Sequence, residues 1–113
     1  MMRSAPALLL VSLCSCVYSD MKQETLDAFY PPGAHRDEIL MKDEHPPQRH
    51  DIDGRPRDGF AARAFRDIMA ETGTRPAFYD FNLRIRGWFG LYGDYVFYDE
   101  DEILLRACRR FLD

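Results

Sequence analysis

Cysteine is scarce in this chain of 113 residues, and a sequon for N-linked glycosylation is absent. Two of the three cysteines, Cys14 and Cys16, lie in an apolar stretch near the N-terminus, which leaves Cys108 as the only one in the remainder. Asn82, the only asparagine, is followed by Leu-Arg. We therefore expect no disulfide within the folded part, which excludes the class of disulfide-stapled secreted miniproteins.

Excess positive charge is also missing, because the formal net charge is −4 at pH 7. A protein that neutralises phosphate groups needs a basic surface, so DNA or RNA is not expected as a partner. Hydrophobic residues make up 46% of the chain and aromatic residues 13%, which is enough for a packed core and argues against a wholly disordered chain. The length allows one small domain.

Residues 1–20 form an N-terminal apolar segment, with one charge, Arg3, ahead of an apolar run from Ala5 to Tyr18. A spanning helix needs about 20 apolar residues, and this run is shorter. The layout fits a secretory signal cleaved before Asp20 or a retained membrane anchor, and Leu13-Cys14-Ser15-Cys16 faintly resembles a bacterial lipoprotein box that would place a lipid on Cys16. The residues expected in the membrane are Leu8, Leu9, Leu10, Val11 and Leu13.

Residues 21–57 have the composition of a charged arm that contains proline. The stretches QETLDAFY and AHRDEILMKDE predict two short helices, separated by Tyr30-Pro31-Pro32-Gly33. The stretch DEHPPQRHDIDGRPR, from Asp43 to Arg57, has almost no apolar residues and is predicted to be extended.

Residues 58–113 are predicted to form a small α+β domain. The stretch DGFAARAFRDIMAETG has an apolar stripe at helical spacing, with Asp58 able to cap its start and Gly73 able to stop it. Alternation in AFYDFNLRIR predicts a strand, and a turn at Tyr92-Gly93 is expected to lead into a second strand from Tyr95 to Tyr98. The expected fold class is α+β, in the order helix, antiparallel hairpin and C-terminal helix.

The acidic block Asp99-Glu100-Asp101-Glu102 opens the predicted C-terminal helix. Asp99 and Glu102 have the spacing of a capping box, and an apolar stripe follows from Ile103 to Leu112. Consecutive helical side chains diverge by about 100°, so these carboxylates cannot converge on one ion. The block is interpreted as a helix cap, and no metal site is expected.

Other candidates for chemistry are weak. His35, His45 and His50 have irregular gaps that cross two prolines, which favours a solvated arm over a zinc site. Cys108 lies on the apolar stripe and is interpreted as a buried core thiol. Because no nucleophile–base pair or phosphate-binding glycine motif is found, we expect no catalytic residue, no cofactor and no enzymatic activity.

The aromatic residues Trp88, Phe89 and Tyr92 lie around the expected hairpin turn. They could pack in the core, or they could form a contact surface, since tryptophan and tyrosine are enriched at interaction hot spots. A domain this small cannot bury every aromatic residue that it carries. Together with Leu105, which lies off the apolar stripe, they are the candidate partner-binding residues.

Two stretches show a resemblance to a known family. The first is GLYGDYVFYDEDEILLRACRRFLD, with an aromatic run before its acidic block; the second, looser one is RDEILMKDEHPPQRHDID. With the N-terminal apolar segment, they resemble the short N-terminally anchored subunit of the poxvirus entry-fusion complex. Leu91-Tyr92-Gly93 is similar to that family's turn.

The resemblance implies a non-enzymatic protein of the virion envelope membrane, single-pass, with its C-terminal domain outside. It further implies pairing with another small subunit of the complex, in a hetero-oligomer required for membrane fusion and core entry. The alternative is a small secreted or periplasmic binding protein released by cleavage of a signal peptide. A small hydrolase is disfavoured because no nucleophile–base pair can be named.

Overall fold

The computed structural model describes residues 23–86 and 90–112. The N-terminal segment with Leu8, Leu9, Leu10, Val11 and Leu13 lies outside these residues, as do Trp88 and Phe89. The elements in chain order are α1 (Gln23–Phe29), α2 (Arg36–Leu40), β1 (Gln48–Asp51), α3 (Gly59–Thr72), β2 (Phe78–Arg86), β3 (Gly90–Tyr98) and β4 (Leu104–Phe111).

The predicted α+β class is confirmed. The four strands form one antiparallel sheet in the order β1-β2-β3-β4. The register pairs Phe78 with Tyr98 and Arg86 with Gly90 between β2 and β3, and β1 covers only one end of β2, from Phe78 to Phe81. None of the described helices is long and apolar enough to cross a membrane.

Helix α3 confirms the prediction from its apolar stripe. The Asp58 carboxylate accepts a hydrogen bond from the Phe60 amide at 3.3 Å, and Gly73 closes the helix at φ 75°, a conformation that glycine adopts without strain. The helix buries one face against the sheet. That face consists of Ala61, Ala64, Phe65 and Ile68.

Both faces of the sheet are covered, so there are two apolar clusters. One lies under α3 and includes Tyr79, Tyr95, Phe97 and Cys108 from the sheet. The other lies under α1 and α2 and consists of Leu26, Tyr30, Ile39, Phe78, Val96, Tyr98, Leu104 and Ala107. Residues 21–57, expected as an arm, therefore contribute two helices and an edge strand to the packed structure.

The predicted C-terminal helix is wrong, because Leu104–Phe111 is the strand β4. Its helix-like stripe arises from adjacent apolar residues that face opposite sides of the sheet. Ala107 pairs with Val96 and belongs to the cluster under α1 and α2, whereas Cys108 pairs with Tyr95 under α3. A strand buried on both faces loses the period-two alternation that would identify it.

The predicted turn at Tyr92-Gly93 is also wrong, since both residues lie inside β3. Gly93 pairs with Leu83, and a Cβ built on it would stand 2.4 Å from Cε1 of Phe81. The glycine is needed because an aromatic ring occupies the place of its side chain.

The expected capping box of Asp99 and Glu102 is wrong, because Asp99 alone caps, and it caps a turn between β3 and β4 instead of a helix. The Asp99 carboxylate accepts from the amides of Asp101 at 2.8 Å and Ile103 at 2.9 Å. Glu102 closes this turn at φ 64°, which is strained for a residue with a Cβ. The Asp99 side chain thus binds the backbone as expected, but in a turn, whereas the Glu102 side chain lies 3.9 Å from Arg49.

Cys108 is buried as expected, with 1% of its surface exposed, but it is not a free thiol. It is disulfide-bonded. The other two cysteines, Cys14 and Cys16, lie outside the described residues. The expectation of a folded part without a disulfide is therefore wrong.

Candidate functional site

The structure separates the residues that were expected to form a contact surface. Tyr92 is buried in β3 on the face of the sheet toward α1 and α2, with its ring 5.3 Å from that of Phe111. Leu105 is half-buried and packs against the cluster on the opposite face. Trp88 and Phe89 are not among the described residues. Tyr92 and Leu105 therefore do not share a surface.

A different set of apolar side chains is exposed at the end of the sheet next to the β2–β3 connection. Leu83 is 56% exposed and Ile85 78% exposed. Ile85 pairs with Leu91 across the strands, and the Leu112 amide donates to the Leu91 carbonyl at 2.7 Å. Side chains paired in register project from the same face. We call Leu83, Ile85, Leu91 and Leu112 the apolar end.

The apolar end is exposed because α3 does not extend over it. The helix begins at Gly59, and its first aromatic residue, Phe60, packs on Tyr95 with ring centroids 4.9 Å apart. A helix of 14 residues is about 21 Å long, whereas a strand of nine residues is about 30 Å long. The cross-strand pairs beyond Tyr95, which include those of Leu83 and Ile85, therefore lie past the start of the helix.

The edge of β2 that faces away from β3 is open along the same residues. Strand β1 begins at Gln48, opposite Phe81, directly after Pro46-Pro47. Proline has no N–H to donate, so the ladder between β1 and β2 cannot continue through these residues. Among the described residues, the part of β2 from Asn82 to Arg86 consequently has a strand neighbour, β3, on one side only.

A groove of about 730 Å³ runs along this open edge. Its walls come from the α2–β1 connection and from β2: Lys42, Asp43, Glu44, His45, Pro46, Gln48, Phe81, Asn82, Leu83 and Arg84. Asn82 is 8% exposed, and no hydrogen bond links its side chain to another described residue. The amide atoms are not fully shielded from solvent, so an incoming donor or acceptor can reach them in the groove.

An ion-pair network fixes the floor of the groove. Arg84 binds Asp43 at 2.9 Å and also contacts Asp94, which is fully buried. Asp94 in turn accepts from Arg109 and, at 2.7 Å, from the hydroxyl of Tyr30. Burial, then the Asp94 charge, raises the pKa of Tyr30, so its hydroxyl stays a donor. Such paired charges hold the strands in one register.

One group of described residues brings metal-ligand atoms together. His35, Asp37 and Glu102 each place one such atom within 4.8 Å of the others. His35 Nδ1 already accepts from the Asp37 amide at 3.1 Å as the cap of α2, and Glu102 lies 3.9 Å from Arg49. These side chains therefore have structural partners of their own. Of the other two histidines, His45 lines the groove and His50 stacks on Tyr79.

Sequence reasoning assigned Leu83 and Ile85 to the buried face of a strand. Alternation identifies a face, but it cannot show where a covering helix begins. A usable signal was Pro46-Pro47 directly before β1, because two prolines end a strand ladder. Comparisons with protein-family models, with curated proteins and with solved structures found no match for this chain.

Proposed function

We propose that the protein is a non-enzymatic binding protein that contacts another protein through the apolar end. The observation that carries this proposal is the exposure of Leu83 and Ile85, at 56% and 78%, beside a groove and away from the covering helix. Apolar side chains that are contiguous across strands mark interaction surfaces, whereas single ones are ordinary.

The rest of the molecule supports a binding role. The apolar end rests on β2 and β3, which are fixed from below by the bidentate pair of Arg109 and Asp94 and by the Arg84–Asp43 pair. A rigid surface loses little conformational entropy when a partner binds. The groove beside it offers carboxylates, a histidine and a lysine, but no described pair in it combines a nucleophile with a base at hydrogen-bond distance.

The biological setting that we propose is the viral entry-fusion complex, with the N-terminal segment in the virion envelope and another small subunit as the partner. This setting rests on the resemblance of residues 90–113 and, more loosely, of residues 36–53 to that family. The alternative, a secreted or periplasmic binding protein, uses the same surface and differs in its partner and in the fate of residues 1–20.

Capture of the partner tests both settings. The full chain with Ile85→Ser should recover its partner from expressing or infected cells far less well than the unmodified chain, because truncating a buried anchor costs about 2 kcal/mol or more, or about 30-fold in Kd. Met69→Ser is the matched control, since Met69 is also exposed but lies on α3.

Identification of the captured protein separates the settings. An envelope protein that is lost with Ile85→Ser and kept with Met69→Ser supports the entry-fusion complex. A partner from outside the envelope, with the same dependence, supports the secreted binding protein. Equal recovery with both variants would contradict the assignment of the apolar end as the contact surface.

A further inference from the structure

We infer that the partner binds by adding an extended segment to the sheet as a fifth strand, antiparallel or parallel to β2, at Leu83 and Ile85. The inference rests on the proposed function and specifies its chemistry: the ligand is a polypeptide backbone, with apolar side chains at alternate positions. This surface is an open strand edge as well as an apolar patch.

The first support for strand addition is the direction in which the backbone N–H and C=O groups of β2 point. The Leu112 amide donates to Leu91, so Leu91 faces β4, and its neighbour Tyr92 faces β2. Tyr92 pairs with Arg84, whose backbone groups therefore point to β3. In an antiparallel ladder this direction alternates, which turns the N–H and C=O groups of Leu83 and Ile85 to the outer edge.

Ala77, the residue before β2, agrees with this direction in its carbonyl only, because its amide donates to the Tyr98 carbonyl of β3 at 2.8 Å. The Ile52 amide donates to the Ala77 carbonyl at 3.0 Å, on the side of β1. Ala77 lies an even number of residues from Leu83 and Ile85. No described residue forms a backbone hydrogen bond with Leu83 or Ile85 on this side. Two residues thus offer two donors and two acceptors, the pattern that an extended chain complements.

Side chains on both faces of β2 match such a ligand. On the α3 face, Leu83 and Ile85 would cover every second side chain of the added strand. On the other face, the amide of Asn82 lines the groove and is accessible there, without a described hydrogen-bond partner. An amide can both donate and accept, so it can bind the polar side chain that an alternating segment presents there. An added strand would therefore cover Leu83 and Ile85 and bind the Asn82 amide at the same time.

A second copy of this chain fits the edge less well. Two-fold pairing that uses both residues matches Leu83 with Ile85 of the second copy and sets Arg84 opposite Arg84. Like charges directly opposite each other destabilise a strand pair.

The protein's own N-terminal segment fits less well too. Its apolar run does not alternate, and the chain enters the described structure at Gln23, whose side chain binds the Ala107 carbonyl on β4 at 3.0 Å. That strand forms the opposite edge of the sheet.

Hydrogen exchange with a tethered probe tests strand addition in the full chain. The probe is the peptide Thr-Val-Thr-Val-Thr, joined to the C-terminus by a flexible Gly/Ser linker that gives it a millimolar effective concentration. The control carries Thr-Pro-Thr-Pro-Thr, which lacks the donors at alternate positions. Exchange of single amides is followed by NMR at several protein concentrations.

We expect the Leu83 and Ile85 amides to exchange at least tenfold more slowly with the valine probe than with the proline probe. The Arg84 amide, already directed to β3, should not change. Equal exchange of Leu83 and Ile85 with the two probes would overturn strand addition and leave the apolar end as a contact surface. Protection that rises with concentration without a probe would overturn it in favour of self-pairing.

Discussion

The ring of Phe81 lies where a side chain at Gly93 would stand, with Cε1 2.4 Å from the position of an ideal Cβ. Gly93→Ala should therefore destabilise the fold by about 1–3 kcal/mol, because the ring must shift within a covered sheet. Gly59→Ala is the matched control, since a Cβ there meets nothing within 4 Å. Denaturant midpoints measure both, and equal stability of the two variants would contradict the packing of Phe81 on Gly93.

Tyr98 and Tyr30 form a pair of fully buried tyrosines with different hydroxyl environments. The Tyr98 hydroxyl has no hydrogen-bond partner among the described residues, whereas that of Tyr30 donates to Asp94 at 2.7 Å. Tyr98→Phe should be neutral or stabilising by about 1–2 kcal/mol, and Tyr30→Phe should cost about 1.5–3 kcal/mol. Thermal and denaturant unfolding test the order, and a larger loss for Tyr98→Phe would contradict it.

Stability should fall at alkaline pH. Burial, then the hydrogen bond to Asp58, raises the pKa of Tyr95 to about 12, and burial raises the pKa of Tyr98 as well. Above pH 10, the unfolded tyrosine pKa, the unfolded chain releases protons that the folded chain retains. The stabilisation is full below pH 10 and declines toward pH 12, by up to about 1.4 kcal/mol per pH unit for each such tyrosine.

Tyr95→Phe should reduce that alkaline slope. Unfolding free energies between pH 8 and 11.5 provide the measurement, and Tyr92→Phe is the comparison variant. A slope unchanged by Tyr95→Phe would show that its hydroxyl titrates normally.

Glu102 carries a strained backbone at φ 64° in the turn after β3. Glu102→Gly should be more stable than Glu102→Ala by about 1 kcal/mol, because both lose the side chain but only glycine relieves the strain. Asp99→Ala should cost about 0.5–2 kcal/mol through the lost bonds to Asp101 and Ile103. Equal stability of the two Glu102 variants would mean that the turn relaxes when the side chain is removed.

The state of Cys108 distinguishes a retained N-terminal segment from a cleaved one. Cleavage before Asp20 would remove Cys14 and Cys16, the only other cysteines of the chain. We expect the disulfide at Cys108 to resist alkylation until it is reduced, and the intact mass to include residues before Asp20. A native chain that starts at Asp20 and alkylates at Cys108 without reduction would contradict both expectations.

The sequence was sufficient where local chemistry decides the structure. Asp58 and Gly73 delimit α3 because a cap and a left-handed stop act on their own backbone. The alternation from Tyr79 to Ile85 identified β2 because successive side chains of a strand point to opposite faces of the sheet.

It was insufficient where tertiary packing decides the structure. The same residues of β4 fit a helical stripe and a strand covered on both faces, and only the presence of α1 and α2 below the sheet distinguishes the two. Gly93 resembled a turn glycine because Phe81, 12 residues earlier, could not be placed on it from sequence. The open edge at Leu83 depends on where β1 stops and α3 begins, which are relations between elements.

The hydrogen bond between Tyr30 and Asp94 spans 64 residues of the chain. Residues 23–40 are synthesised before β3 and β4, yet the groups that bury Leu26 and Tyr30 lie in those two strands. The cluster under α1 and α2 therefore cannot form during synthesis until β3 and β4 have been made. The nascent chain therefore exposes Leu26 and Tyr30 to solvent until both strands are available to cover them.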